Sequence, residues 1–337
     1  MKYILFLSIT FSFIFSDEVI YIDNPYKTYF NKEVNRYSRN IWDMQLYNSK
    51  IYIGAGNSSN IGPSSNSGRV AIYSINPKND KINFEYKVAE EQINIFKVYD
   101  KTLYIPGHDA TQRWTFGNYY TKKNNVWKKY RNIPDALHVY DIVKDKQKLY
   151  AALGLINYEG SVMVSKDGIE WKNYKKYKKR VYSIFMLNNK LLSDKDLVKS
   201  NQKMTRIKKL YRSIYFILAK PYNDHQAIPL KFMHITYINN KLIMKDIKIP
   251  SQYIPYDILI QNDKIYVLAN LKTKNSFEIK VLEYNYKNLN SFKIVASLKY
   301  SSFARSFELA NNYFYFGIGC YTKNISSACG DIIKVKK

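Results

Sequence analysis

The chain has 337 residues, enough for one large all-β domain or two smaller ones. Its formal charge of +26 invites a polyanion partner, but the positive charge is nearly all lysine, scattered mostly through turns. The same chain is loaded with Asn, Ile and Tyr, as an AT-rich coding sequence would produce. No nucleic-acid motif accompanies the charge, so a nucleic-acid partner is excluded.

Residues 1–16 read as a secretory signal. Lys2 supplies a short basic start, Tyr3 to Phe15 is an apolar run too short to span a bilayer, and Ser16 is a small residue suited to cleavage before Asp17. No cysteine follows the apolar run, so lipoprotein attachment is not expected, and no later stretch qualifies as a membrane span. The mature protein is therefore expected to be periplasmic or secreted.

From residue 42 onward one unit recurs: an alternating strand, a short polar turn, then a strand ending in small residues. Copies begin at Trp42, Ile95, His138, Val181, Tyr256 and Arg305, mostly about 40–50 residues apart, and most are followed by two more strand-like segments. Such a period with four-strand content predicts an all-β propeller of about six four-stranded blades, with five or seven as alternatives. Residues 17–337 form a single domain in this reading. The fourth unit is irregular, with an insertion near 197–229. The last unit lacks an outermost strand, and Glu18–Asp23 is expected to supply it, closing the ring and removing an open edge.

Within the third unit lies Ser165-Lys166-Asp167-Gly168-Ile169-Glu170-Trp171. Ser-x-Asp-Gly-x-x-Trp resembles the Asp-box, or BNR repeat, of sialidase-like propellers. Further stretches resemble a secreted sialidase-like family of poorly defined function: Ile41-Trp42-Asp43-Met44, Ile51–Gly56 with Asn60-Ile61-Gly62-Pro63, Ile105–Thr111, Trp114–Asn118 and Ala136–Asp141. The resemblance implies a propeller in which Ser165, Asp167, Gly168 and Trp171 are structural and lie away from the ligand face. It does not carry the Arg triad contexts of a sialidase.

In a propeller, the loops entering each inner strand and leaving each second strand surround one mouth of the central channel, where ligand sites concentrate. Only nine arginines stand against 44 lysines, so a retained arginine points to a need for a planar, bidentate fork. Arg39, Arg180 and Arg305 each precede or open an inner strand and are expected to converge at the mouth as an anion-binding funnel, with His108, Asp109 and His138 beside them. Trp42, Trp114, Tyr119 and Tyr120 are the aromatics expected near this face. No catalytic motif, cofactor motif or metal-ligand spacing is present. Cys320 and Cys329, close in sequence and in an exported chain, are expected to pair. The resulting expectation is an exported propeller that binds an anionic or glycan ligand without catalysis. A sialidase-like glycoside-active enzyme and a scaffold for another cell-envelope protein are the alternatives.

Overall fold

The computed structural model describes residues 17–60, 65–222, 226–239, 241–323 and 325–337. The expected signal, 1–16, and Ile61, Gly62 and Pro63 of the family-like stretch lie outside them. Six four-stranded antiparallel sheets stand in a ring as the blades of a propeller. Blade 1 spans 43–88, blade 2 97–134, blade 3 136–177, blade 4 203–247 and blade 5 254–300. Blade 6 takes three strands from 304–336, and its fourth is Ile20–Asp23, antiparallel to Ile332–Lys336. The two ends of the chain thus close the ring.

Local chemistry sets the hairpins. In five inner hairpins the inner strand turns into the second through two residues in the left-handed region: Asn48-Ser49, Asp100-Lys101, Asn188-Asn189, Asn262-Asp263 and Asn311-Asn312. This geometry matches the twist of the flanking strands, and Asn and Asp tolerate it best. The second strand of each blade is mostly buried. In blade 6, every residue of Phe314–Ile318 is inaccessible to solvent. Aromatic side chains fill the wedges between blades. Tyr26, in a short helix after the closing strand (Pro25–Tyr29), is fully buried, and its one hydroxyl proton lies between the carbonyls of Ile53 and Ala71, at 3.1 and 3.0 Å from the oxygen.

Cys320 and Cys329 form a disulfide, with Cα atoms 5.3 Å apart. The Ser165–Trp171 turn joins the outer strands of blade 3. Asp167 Oδ1 accepts from the backbone N–H of Ile169 and Glu170 at 2.8 and 3.0 Å, and Ser165 Oγ accepts from Gly168 N–H at 2.8 Å. Trp171 is buried against Tyr119 of blade 2, so the turn also locks two blades together.

One sequence expectation is corrected. The stretch expected as an insertion, near 197–229, contributes the inner hairpin of blade 4, Lys203–Leu210 and Ser213–Tyr222, and the second of these strands continues past the first to pair with residues 226–229. The fourth sequence unit, by contrast, is only a two-stranded hairpin, Ile184–Leu187 with Lys190–Ser193, lodged between blades 3 and 4. Residues 203–222 escaped as strands because Lys and Arg interrupt their alternation and a break in register falls at 205–208.

Candidate functional site

Three inner strands carry an aromatic residue followed by aspartate at or shortly after their start: Trp42-Asp43, Tyr140-Asp141 and Tyr256-Asp257. In each pair the two side chains divide the work. The aspartate is buried and accepts an N–H from the next inner strand around the ring. Asp43 takes Phe96 N–H at 2.7 Å, Asp141 takes Ile184 N–H at 3.2 Å and Asp257 takes Phe307 N–H at 3.2 Å. Glu308 does the same for Leu46 N–H at 2.7 Å. These contacts staple sector to sector at the hub, where a lone buried carboxylate would be costly. Lys97 adds an ion pair to Asp141 at 3.1 Å.

The aromatic partner is turned toward the channel. Tyr140, Tyr256 and Arg305 each fall at a break in strand register, and Arg206 falls at another in blade 4 with φ of 53°. A bulge is the standard means of re-aiming a side chain at a barrel rim. The resulting channel holds about 610 Å³ and is lined at its mouth by Trp42, Tyr140, Tyr182, Tyr256, Lys203 and Arg305. Arg206 reaches across it. Its guanidinium pairs with Asp43 at 3.0 Å, lies 3.6 Å from Asp257 and donates to the carbonyl of Trp42.

Cations and rings alternate around the mouth. Arg305 lies 4.1 Å above the Trp42 ring and 5.0 Å from Phe303, with Nε donating to Asn40 Oδ1 at 3.1 Å. Among the described residues no carboxylate lies within ion-pair distance of Arg305, and burial lowers its pKa. Lys203 stands 3.5 Å over Tyr182, whose ring is 4.8 Å from Tyr140. Gly319 makes room here, since a Cβ would come within 2.9 Å of Arg305 Nε.

A second cluster adjoins Tyr140. Arg180 donates to the Tyr140 hydroxyl at 3.3 Å and stacks over Tyr158, while His108 and His138 pack against the Tyr140 ring. His138 Nδ1 is 2.8 Å from the carbonyl of His108 and 3.7 Å from Asp109. Burial pushes the Asp109 carboxyl up to about 8, helped by Glu91 and Glu90 and opposed by Arg180. It is therefore mostly protonated at neutral pH. Burial likewise raises Glu90 to about 7, although Asn118 and Tyr120 donate to it. The Tyr140 hydroxyl is raised by burial and stays protonated.

The structure thus brings together Arg180, His108, Asp109 and His138 around Tyr140, and sets Arg305 over Trp42 on the same channel. The three expected arginines do not converge. Arg39 is turned away, with Nε and Nη2 donating to the carbonyl of Phe30 at 3.0 and 2.6 Å. Of the expected aromatics only Trp42 lines the channel. Trp114 is half exposed, Tyr119 packs on Trp171, and Tyr120 is fully buried beneath Glu90. Arg206, Tyr140, Tyr182 and Tyr256 were missed. The repeated aromatic-Asp dipeptide is the signal that could have found Tyr140 and Tyr256, the rarity of arginine could have found Arg206, and no sequence signal marks Tyr182.

No protein-family model matches the chain, and no curated protein matches it. Among solved structures it is similar to the computationally designed Ika8 protein, with a TM-score of 0.52 at 7% identity, over 89% of this chain and 97% of that one. A mitotic checkpoint complex structure also matches, at a TM-score of 0.48 and 7% identity, over 99% of each chain. Likeness at this identity is one of fold alone.

Proposed function

We propose that this protein is an exported propeller that holds an acidic glycan at the mouth of its central channel. The observation that carries the reading is Arg305: a desolvated guanidinium facing the channel, stacked on Trp42, with no carboxylate paired to it among the described residues. A cation so placed favours an anion, and its planar fork suits a carboxylate or sulfate. Tyr140, Tyr182, Tyr256 and Trp42 line the channel beside Arg305 and give its wall apolar aromatic surface suited to the apolar side of a sugar. A cavity of about 610 Å³ has the size of an ordinary ligand site. The disulfide supports the reading of residues 1–16 as an export signal and of a periplasmic or secreted location.

Calorimetry with uronate- and sulfate-bearing oligosaccharides is the direct test. Arg305→Lys is expected to weaken binding about tenfold or more, because charge is kept but the bidentate fork is lost. Unchanged affinity in Arg305→Ala, or failure to retain any acidic glycan, overturns the reading.

A glycoside-active enzyme is the second reading, and Asp109 favours it: a carboxyl still protonated near neutral pH is suited to donate a proton to a leaving group. The raised pKa of Tyr140 argues against a tyrosine nucleophile beside it. Turnover of fluorogenic acidic glycosides, abolished by Asp109→Asn, would establish this reading, and its absence would leave the binding role.

A further inference from the structure

The short sector leaves a slot at the rim of the ring. Among the described residues six sectors carry four strands each, whereas Ile184–Leu187 and Lys190–Ser193 have no outer pair. The positive φ values at Asn188 and Asn189 mark a two-residue turn, so Leu187 and Lys190 exchange the first ladder bonds. The antiparallel alternation then turns the N–H and C=O of Leu191 outward, toward the missing third strand. Ser193 N–H is already taken by Asp196 Oδ2 at 2.9 Å, so the edge is blunted at one end and open at Leu191.

The wall beside this edge is basic. Lys172 pairs in register with Val164, and Val164 pairs with Tyr150, which places all three on the face of blade 3 that packs toward the hairpin. A groove of about 520 Å³ runs between that face and the hairpin, lined by Lys146, Lys148, Tyr150, Tyr174, Met186 and Leu191, with Asp145 as the single carboxylate among its lining residues. Lys146, Lys148, Lys172 and Lys190 are all exposed, and Tyr174 is 51% exposed.

We propose that this slot is completed in trans by an extended segment of another protein, with acidic side chains on one face, which pairs with Lys190–Ser193 as a third strand. The open backbone at Leu191 asks for main-chain hydrogen bonds, and the lysine wall selects acidic side chains. A second copy of this chain fits poorly, since pairing two such edges would set lysine walls against each other. A polysaccharide would meet the charge but leave the strand edge unused.

The test uses the mature, disulfide-bonded protein and a capped peptide of alternating glutamate and valine, about eight residues long, with a lysine-valine peptide and heparin as comparators. The glutamate peptide is expected to bind and to slow amide exchange at Leu191 about tenfold or more. Leu191→Pro, and separately Lys148→Glu with Lys172→Glu, are expected to weaken it about tenfold or more. Should Leu191→Pro fail to fold, the exchange measurement on the unaltered protein decides. No binding of the glutamate peptide at about 1 mM overturns the proposal. So does equal binding of the lysine peptide, or binding without protection of Leu191. Heparin binding that excludes the peptide while leaving Leu191 exchange unchanged assigns the wall to polyanions instead.

Discussion

Blade 3 and the hairpin that follows it are neighbours built to different depths. Blade 3 has an inner pair stapled at the hub and an outer pair sealed by the Asp167 turn and Trp171. The hairpin has only the inner pair, yet it keeps its place through Asp141, through Asp194 N–H donating to the Ser183 carbonyl, and through Ser193 capping the short helix Asp194–Leu197. The difference shows that ring closure depends on the inner layer, where each sector bonds to the next. The outer strands form a separate layer that one sector can lack.

The comparison is broken most severely at its junction. Asp141→Ala removes the acceptor for Ile184 N–H and strands Lys97 in the hub, so a loss of about 3–5 kcal/mol is expected in denaturant unfolding. A loss below about 1 kcal/mol would show that the hairpin is held by packing alone.

Deleting residues 17–23 tests whether any blade can do without an outer strand. The deletion strips blade 6 of ladder bonds near 1 kcal/mol each and should cost about 2–4 kcal/mol. A negligible cost would make the short sector ordinary instead of specially stapled.

The two layers should also respond to pH with opposite sign. Toward the hub and loop face, Glu308 and Glu90 are raised to about 7 and Asp109 to about 8, so the fold binds their protons more tightly than the unfolded chain does. Their contribution is complete below the ordinary carboxylate range and is lost as pH rises toward 8. At the rim, Asp167 is lowered by the N–H of Ile169 and then Glu170, so its contribution is present above the ordinary range and lost in acid. Melting temperature is expected to fall from pH 5 to 8, and Glu90→Gln should flatten that fall. An unchanged slope in Glu90→Gln would remove Glu90 from the account.

Asp167→Ala has the smallest expected effect. It loosens one outer turn and should lower the melting temperature by about 1–3 °C without altering glycan binding. A binding defect at unchanged stability would place this turn in communication with the channel mouth.

The sequence made the outer architecture legible because its signals are local. Two-residue Asn turns, alternation and the Ser165–Trp171 motif each act within a few residues. Ring closure and the Cys320–Cys329 pair were legible because open edges and close cysteines leave few alternatives. The site was half legible. His108 and Asp109 follow a second strand, His138 lies near the start of an inner strand and Arg180 precedes another, and the four do meet. Arg39 misled because its place in the repeat says nothing of the Phe30 carbonyl, which a turn earlier in the chain delivers to it. Arg206 was hidden because its role depends on a bulge and on acids from blades 1 and 5.

The pairing of Ile20–Asp23 with Ile332–Lys336 also sets an order of events. The contact joins Ile20 to Lys334, so no fragment emerging from a ribosome without the last strand can make it. Until the last strand arrives, five blades can form but the ring has a gap, and the hub staples on either side of it lack partners. The same seam sets Ile20 opposite Lys334, so the first and last described strands lie next to each other. A permuted chain, joined there by a short linker and opened at Asn188-Asn189, would move the last folding step to the short sector without altering a blade.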